Sequence, residues 1–339
     1  MEKRIVTVFG GSGFIGRHLM RRLAAAGWRV RVAVRDPEAA LFLKPLGDVG
    51  QIVPWAADVG RPDTVAAAVA GATAVVNLVG ILYERGKRTF ERVHVDGARA
   101  IAEAAAKAGV KKLIHISAIG ADENSEAAYA RSKAKGEAAV RAAFPDATVL
   151  RPSVVFGPED GFFNLFAGIA RWSPVLPVFG CPTLPRLESN PKGRLPFKID
   201  WYGDGGTKFQ PVYVGDVAEA IMAALKDDKA KGRTYELGGP RAMSFKQVMD
   251  LLLAQTGRKR ILVPVPFAVG MIEGFFLQLL PTKPLLTVDQ VKLLKTDNVV
   301  SPGAAGLADL GVAATPAEAI LPTYLSRFRL PSRRDAQVA

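Results

Sequence analysis

Three side chains close together in the chain could move a proton at a carbinol: Ser117, Tyr129 and Lys133. The run Tyr129-Ala130-Arg131-Ser132-Lys133 spaces tyrosine and lysine four apart, which puts both on one face of a helix. An ammonium so placed could lower the phenol pKa and hold a nicotinamide ribose. The phenol could then transfer the proton while the Ser117 hydroxyl holds the substrate oxygen. A Tyr-x-x-x-Lys pair also arises by chance as two surface residues, so its meaning rests on what accompanies it. What accompanies it is a glycine turn near the N-terminus. The apolar run Ile5, Val6, Val8, Phe9 stops at Gly10, Gly13 and Gly16, and a helical pattern follows at Ile15, Leu19, Leu23 and Ala26. Gly10 permits the tight turn, Gly13 lets backbone approach a pyrophosphate, and Gly16 lets helix pack on strand. The helix start adds free N–H groups and partial positive charge. We therefore assign Gly10, Ser12, Gly13, Phe14, Ile15, Gly16 and Arg17 to a dinucleotide cofactor.

These groups need a scaffold, and the chain supplies alternating strands and helices. Strand patterns at Val30–Val34, Gln51–Trp55, Ala74–Val79, Lys112–Ile116, Thr148–Val155 and Thr234–Leu237 alternate with helical ones. The helical patterns include Pro62–Ala70, a long alanine-rich stretch Phe90–Ala108, and one running from Asp216, as cap, to Leu225. Such alternation predicts an α/β fold with a Rossmann-like, doubly wound parallel sheet. The second strand ends at Arg35-Asp36-Pro37. An arginine there suits a 2′-phosphate and an acid suits a 2′-hydroxyl. Arg35 with Arg17 favours NADP(H), while Asp36 leaves NAD(H) open. Gly80, after the fourth strand, lets the chain pass close to a ribose.

Beyond the sheet the pattern changes. Cys181–Tyr202 reads as an excursion too irregular for a core element. Capping boxes are expected at Ser244/Gln247, Thr287/Gln290 and Thr315/Glu318, the last with Pro316 at the first helical position. Ile261–Leu280 is apolar and has two readings: a buried lobe helix, or a surface that docks on a partner or enters a membrane interface. The expected organisation is a nucleotide domain of 1–160 with 208–240. A smaller, mainly helical C-terminal lobe takes 161–207 and 241–330, and 331–339 is a frayed basic tail.

Lys plus Arg number 45 against 32 Asp plus Glu, a net charge of +13. That suits an acidic partner without naming one, and no aromatic-and-basic motif for nucleic acid is present. One cysteine excludes an internal disulfide. His18, His94 and His115 lie far apart, give no metal-ligand pattern, and read as ordinary residues. No leader pattern precedes the first strand. No stretch has the roughly 18 uninterrupted apolar residues of a spanning helix.

Taken together, the glycine motif, Asp58-Val59, Asn77-Leu78-Val79-Gly80, Ser117, Tyr129/Lys133 and Arg151-Pro152 resemble the extended or atypical branch of the short-chain dehydrogenase/reductases, over about residues 1–240. Three stretches carry a narrower resemblance: Arg151–Asn164, Phe209–Asp216 and Leu286–Asn298. They look like the 39-kDa NAD(P)H-binding accessory subunit of respiratory complex I, and the composition suggests a bacterial member. The last stretch lies outside the nucleotide fold, so shared cofactor chemistry does not explain it. Against that family, Cys181–Tyr202 reads as an insertion.

The resemblance adds Asp58, Val59, Leu78, Val79, Pro152 and Val155 to the cofactor set, beside Tyr129 and Lys133. It implies a subunit that holds NADP(H) structurally near the quinone-binding region, with other complex I subunits and an anionic membrane surface as partners. Its expected place is peripheral, on the cytoplasmic side of a bacterial inner membrane. The competing reading is a working oxidoreductase, epimerase or dehydratase, which the intact Ser117, Tyr129 and Lys133 favour. The same three groups also serve binding alone, so their presence does not prove turnover.

Overall fold

The computed structural model describes residues 4–182, 185–189, 197–279 and 284–329. They divide into two compact units: Met1–Val155 with Val212–Gly238 and Val300–Ala314, and Phe156–Pro211 with Gly239–Val299 and Thr315–Ala339. Val300–Ala314, which the sequence reading gave to the lobe, belongs with the first unit.

In the first unit, strands β1 (Ile5–Phe9), β2 (Arg29–Val34), β3 (Ile52–Ala56), β4 (Ala74–Asn77), β5 (Lys112–Ile116) and β6 (Thr148–Pro152) join Thr234–Leu237 in one sheet. The order is Thr234–Leu237, β6, β5, β4, β1, β2, β3, and every pairing is parallel. Helices α1 (Phe14–Ala25), α2 (Pro62–Val69), α3 (Gly97–Lys107) and α4 (Ala128–Ala143) make the crossovers with Val214–Lys226. Both sheet faces are covered, because successive strand residues point to opposite sides. Val6, Val8, Val30, Val32, Ala74, Val76, Ile114 and Ile116 pack into one core with Leu19, Leu23 and Ile221. Phe9, Ala33, Val75 and Leu113 pack into the other with Val65, Ile101 and Val140. Arg31 has a separate task. Its guanidinium donates to the Ala68 and Ala70 carbonyls at the end of α2 and stacks on Trp55, 4.7 Å from the ring centroid.

Several expectations change here. The Phe90–Ala108 helix is interrupted: Glu91–Asp96 forms a π-helical turn before α3. The strand expected to reach Val155 stops at Pro152. Asp216 lies buried inside the first turn of its helix, whose N-cap is Tyr213. An acid inside that turn still complements the helix dipole.

The second unit is mainly helical, with Phe163–Trp172, Phe245–Thr256, Phe267–Gln278, Val288–Leu293 and Ala317–Leu325. Phe162, Phe163, Phe166, Phe179, Phe209 and Phe245 gather at its centre in mostly edge-on contacts. The Ser244 and Thr287 capping boxes are both formed. The third is not: Pro316 is the N-cap, no side chain caps the helix, and Glu318 pairs with Arg241. The 181–202 excursion contains an antiparallel hairpin, Arg186–Ser189 with Phe197–Asp200, and Cys181 is buried. Residues 183, 184 and 190–196 of the excursion, and the tail from 330, lie outside the described residues. Ile261–Leu280 is not one helix. Ile261–Val265 pairs in parallel with Val175–Phe179, and Phe267–Gln278 follows as a helix. Among the described residues no helix is long and apolar enough to cross a membrane.

Candidate functional site

β1 has β2 on one side and β4 on the other, so the crevice at its carboxyl end lies where the strand order reverses. Gly10 turns there with φ +75°, and a Cβ on it would meet the Leu78–Val79 backbone at 3.2–3.3 Å. A Cβ on Gly16 would lie 2.2 Å from the Gly11 carbonyl oxygen, so only glycine lets α1 start this close to its strand. Gly13 is the N-cap and no side chain caps α1. The N–H groups from Phe14 onward are thus left for an anion, with Ser12 and Ile15 in the same turn.

Arg17 and Arg35 differ in how they are held. The Arg17 guanidinium donates to the Ser12 carbonyl at 3.4 Å and lies 5.1 Å from the Phe42 ring centroid. Arg35 is exposed just past β2. Neighbouring Asp36 accepts from the Glu38 and Ala39 N–H groups at 3.0 and 3.1 Å. Both bonds fall on one carboxylate oxygen, Oδ1, in the turn that leads into Glu38–Leu46. Asp58 accepts from Gly60 N–H at 2.9 Å, and Val59 packs where a Cβ on Gly97 would meet it at 2.9 Å. Pro152 ends β6 and accepts from Ile119 N–H at 3.1 Å, while Val155 is half-buried against the sheet core.

Tyr129 and Lys133 lie together with two histidines. Lys133 is buried; its Nζ donates to the Ile116 carbonyl at 3.3 Å and lies 5.9 Å from the Tyr129 ring centroid. Burial pulls its pKa down to about 8, and Glu137, one helical turn on, offsets part of that. A Cβ on Gly80 would stand 3.4 Å from Lys133 Nζ and 3.7 Å from His94 Nε2, so glycine leaves this spot open.

His94 sits in the π-helical turn, with Phe90 stacked on it at 5.4 Å and Tyr129 edge-on at 5.5 Å. Its Nε2 accepts from Ile81 N–H at 3.0 Å, so Nδ1 carries the hydrogen and donates to Ser132 Oγ at 2.8 Å. Ser132 Oγ donates in turn to the Tyr129 carbonyl at 2.7 Å. Burial and then the Lys133 charge push the imidazole down to about 3, which keeps it neutral. His115 Nδ1 accepts from Asn77 Nδ2 at 3.1 Å, and Asn77 Oδ1 accepts from Val79 N–H at 3.0 Å. Burial and Lys133 likewise take His115 to about 3. His115 Nε2 and Ser117 Oγ are buried with no hydrogen-bond partner among the described residues.

One expectation reverses. Lys133 was expected to lower the Tyr129 pKa, yet burial raises it to about 12. The ammonium faces the ring from nearly 6 Å and spends a hydrogen bond on Ile116, too little to offset desolvation. Reading the histidines as ordinary missed His94 and His115, which tertiary packing brings to Lys133. The sequence also gave no sign that Glu137 pairs with Arg151 through bonds of 2.9 and 2.7 Å behind the site. For His94 the available signal was its four-residue spacing from Phe90, which sets both rings on one helix face. An open glycine crevice, an uncapped helix start and an orphaned buried hydroxyl, one residue past the carbonyl that Lys133 bonds, suit a nicotinamide dinucleotide.

Fold and site define a dinucleotide-binding protein of the extended short-chain dehydrogenase/reductase kind. The sequence signature of the NAD dependent epimerase/dehydratase family matches residues 6–238. Mitochondrial NADH dehydrogenase [ubiquinone] 1 alpha subcomplex subunit 9 of Mus musculus is 35% identical over 326 residues, 96% of this chain and 80% of that protein. The ceramide reductase of Caulobacter vibrioides is 41% identical over 178 residues, 51% of this chain and 53% of that one. Among solved structures, MoeE5 in complex with UDP-glucose and NAD superposes with a TM-score of 0.68 at 16% identity, covering 98% of this chain and 99% of its own. The chain belongs to the NAD dependent epimerase/dehydratase family and, within it, to the family of the 39-kDa NAD(P)H-binding subunit of respiratory complex I.

Proposed function

We propose that this protein is a non-catalytic, NADP(H)-binding accessory subunit of NADH:ubiquinone oxidoreductase that stabilises the complex near its quinone-binding region. The observation that carries the reading is the extent of the match to the mouse subunit, which runs through the lobe as well as the nucleotide fold. A cofactor-only relationship would have faded after residue 238, where the family signature ends. Residues Gly10, Ser12, Gly13, Phe14, Ile15, Gly16 and Arg17 cradle the pyrophosphate. Arg35 meets the 2′-phosphate, a reading supported by the engagement of Asp36 elsewhere. Asp58 and Val59 flank the adenine end. Leu78, Val79, Gly80, Tyr129, Lys133, Pro152 and Val155 serve the nicotinamide end.

Bound there, the dinucleotide would bring redox chemistry, while holding it asks no proton transfer of this chain. Burial raises Tyr129 to about 12, which disfavours the phenolate that an alcohol oxidation would need as base. A ligand bound only by the native state stabilises it by about 2.7 kcal/mol at a hundred times its dissociation constant. The protein sits peripherally on the cytoplasmic side of a bacterial inner membrane, where +13 of charge favours acidic subunits and anionic lipid.

A second reading has its own support. The ceramide reductase match is higher in identity, though it spans half of each chain, and Ser117, Tyr129 and Lys133 are all in place. In that reading Ser117 Oγ holds a ketone oxygen and Tyr129 Oη gives it a proton. Co-purification separates the two. Recovery with a membrane-bound, quinone-reducing NADH dehydrogenase supports the first. Loss of NADPH on adding a carbonyl substrate, with no such association, supports the second.

A further inference from the structure

The Phe267–Gln278 helix is packed inside out. Its only buried residues are Gly270 and Gly274. A Cβ on Gly270 would stand 3.1 Å from the Phe179 ring, and one on Gly274 would stand 2.9 Å from the Thr287 backbone. The helix is therefore seated through a small-residue face. With 3.6 residues per turn, Ile272, Phe275, Phe276 and Leu279 fall on the opposite side. They are exposed, with Ile272 at 61%, Phe276 at 65% and Leu279 at 66%. Such a stripe is far outside what a solvated helix presents. No lysine or arginine lies on this helix, and Glu273 is its one acid.

The strand leading into the helix adds to the apolar surface and begins among cations. Ile261 and Val263 are exposed on one face of Ile261–Val265, and Val175, paired with Ile261, is exposed too. At the strand's start stand Lys259 and Arg260. Arg260 donates to the Ala170 carbonyl at 2.8 Å, which sets it at the end of the Phe163–Trp172 helix beside Arg171. Arg171 stacks on Trp172, 5.4 Å from its ring centroid, and Trp172 is 83% exposed. No carboxylate pairs with Arg171, Lys259 or Arg260 among the described residues. In sequence the apolar run lies between Arg258-Lys259-Arg260 and Lys283. A protein partner would have to bring both a long apolar groove and matching acids. An anionic bilayer interface offers acyl chains and acidic headgroups at every point.

We propose that the Ile272/Phe275/Phe276/Leu279 face, with the Arg171, Lys259 and Arg260 cations, docks this protein on an anionic phospholipid bilayer. The helix lies in the interface plane, its stripe among the acyl chains and the cations at headgroup level. The inference deepens the peripheral-subunit reading, from which it takes its membrane.

The test is co-sedimentation of the full chain with vesicles of phosphatidylcholine alone and of phosphatidylcholine mixed with phosphatidylglycerol. The wild type is expected to pellet with the mixed vesicles and to be partly released by salt. Ile272→Gln with Phe276→Gln alters only exposed side chains and should weaken partitioning by roughly tenfold or more. Arg171→Gln with Lys259→Gln should weaken it by about fivefold per charge on mixed vesicles, and far less on phosphatidylcholine alone. Unchanged NADPH binding by each variant would establish that it remains folded. Wild-type protein left in the supernatant with mixed vesicles overturns the proposal, as does an Ile272/Phe276 variant that pellets undiminished. A dimer dissolved by the same substitutions would assign the face to a second copy instead. Co-purification with complex I but no vesicle binding refutes this face and spares the proposed function; the converse result does the reverse.

Discussion

Acid should destabilise this protein through two buried histidines, and the size of the effect follows from their surroundings. His94 and His115 are both fully enclosed, and desolvation followed by the Lys133 charge takes each from an ordinary 6.5 to about 3. The folded state therefore binds fewer protons than the unfolded chain between those values. Stability is complete above about pH 6.5 and is lost as pH falls from 6.5 towards 3. At about pH 5 the deficit is near 2 kcal/mol per ring and about 4 kcal/mol for the pair, a large part of a typical folding free energy. Urea unfolding at about pH 7.5 and about pH 5 measures the loss. His94→Gln keeps an acceptor for Ile81 N–H and a donor for Ser132, and His115→Gln keeps an acceptor for Asn77. Substituting both should shrink the loss between the two pH values by about 4 kcal/mol, whatever it does to stability at neutral pH. Each single variant should remove about half. An unchanged pH dependence in the double variant would refute the claim that these rings are held neutral by burial.

Three further outcomes are expected. Arg35→Asp should weaken NADPH binding by roughly tenfold or more and shift preference towards NADH, because a charge-assisted guanidinium–phosphate contact is replaced by repulsion; a wild type preferring NADH in competition titration would refute the role given to Arg35. Tyr129→Phe keeps the ring contacts with Phe90 and His94, so nucleotide affinity and complex I assembly should stay within about twofold of wild type. A null-like respiratory phenotype from that one hydroxyl would favour the reductase reading. Lys133 is lowered to about 8, so its ammonium should aid nucleotide binding below that pH and lose its effect as pH rises past it. Titration calorimetry across that range should show the fall in wild type and its absence in Lys133→Met.

The sequence alone determined the sheet and its site loops, because both depend on local rules. Short apolar runs alternating with helical patterns need no distant partner to be read as buried parallel strands, and all seven strands of the sheet formed at or near their expected places. Gly10 and Gly16 follow the same logic, since a left-handed turn and a helix start against a strand leave no room for a Cβ. Tertiary structure decided whatever depended on contacts between remote segments. Tyr129 and Lys133 share a helix face by spacing, but the Tyr129 pKa rose because packing against Phe90 and His94 removed more water than Lys133 could offset. His94 and His115 gained meaning only when the fold set them beside Lys133, and Glu137 met Arg151 across the gap between a helix and a strand. The Thr315/Glu318 box did not form: the helix is capped at Pro316 and Glu318 pairs with Arg241, a partner that sequence spacing does not reveal. Phe267–Gln278 shows the limit most clearly. Hydrophobicity said only that the segment is apolar; seating the helix through Gly270 and Gly274 turned its large side chains outward.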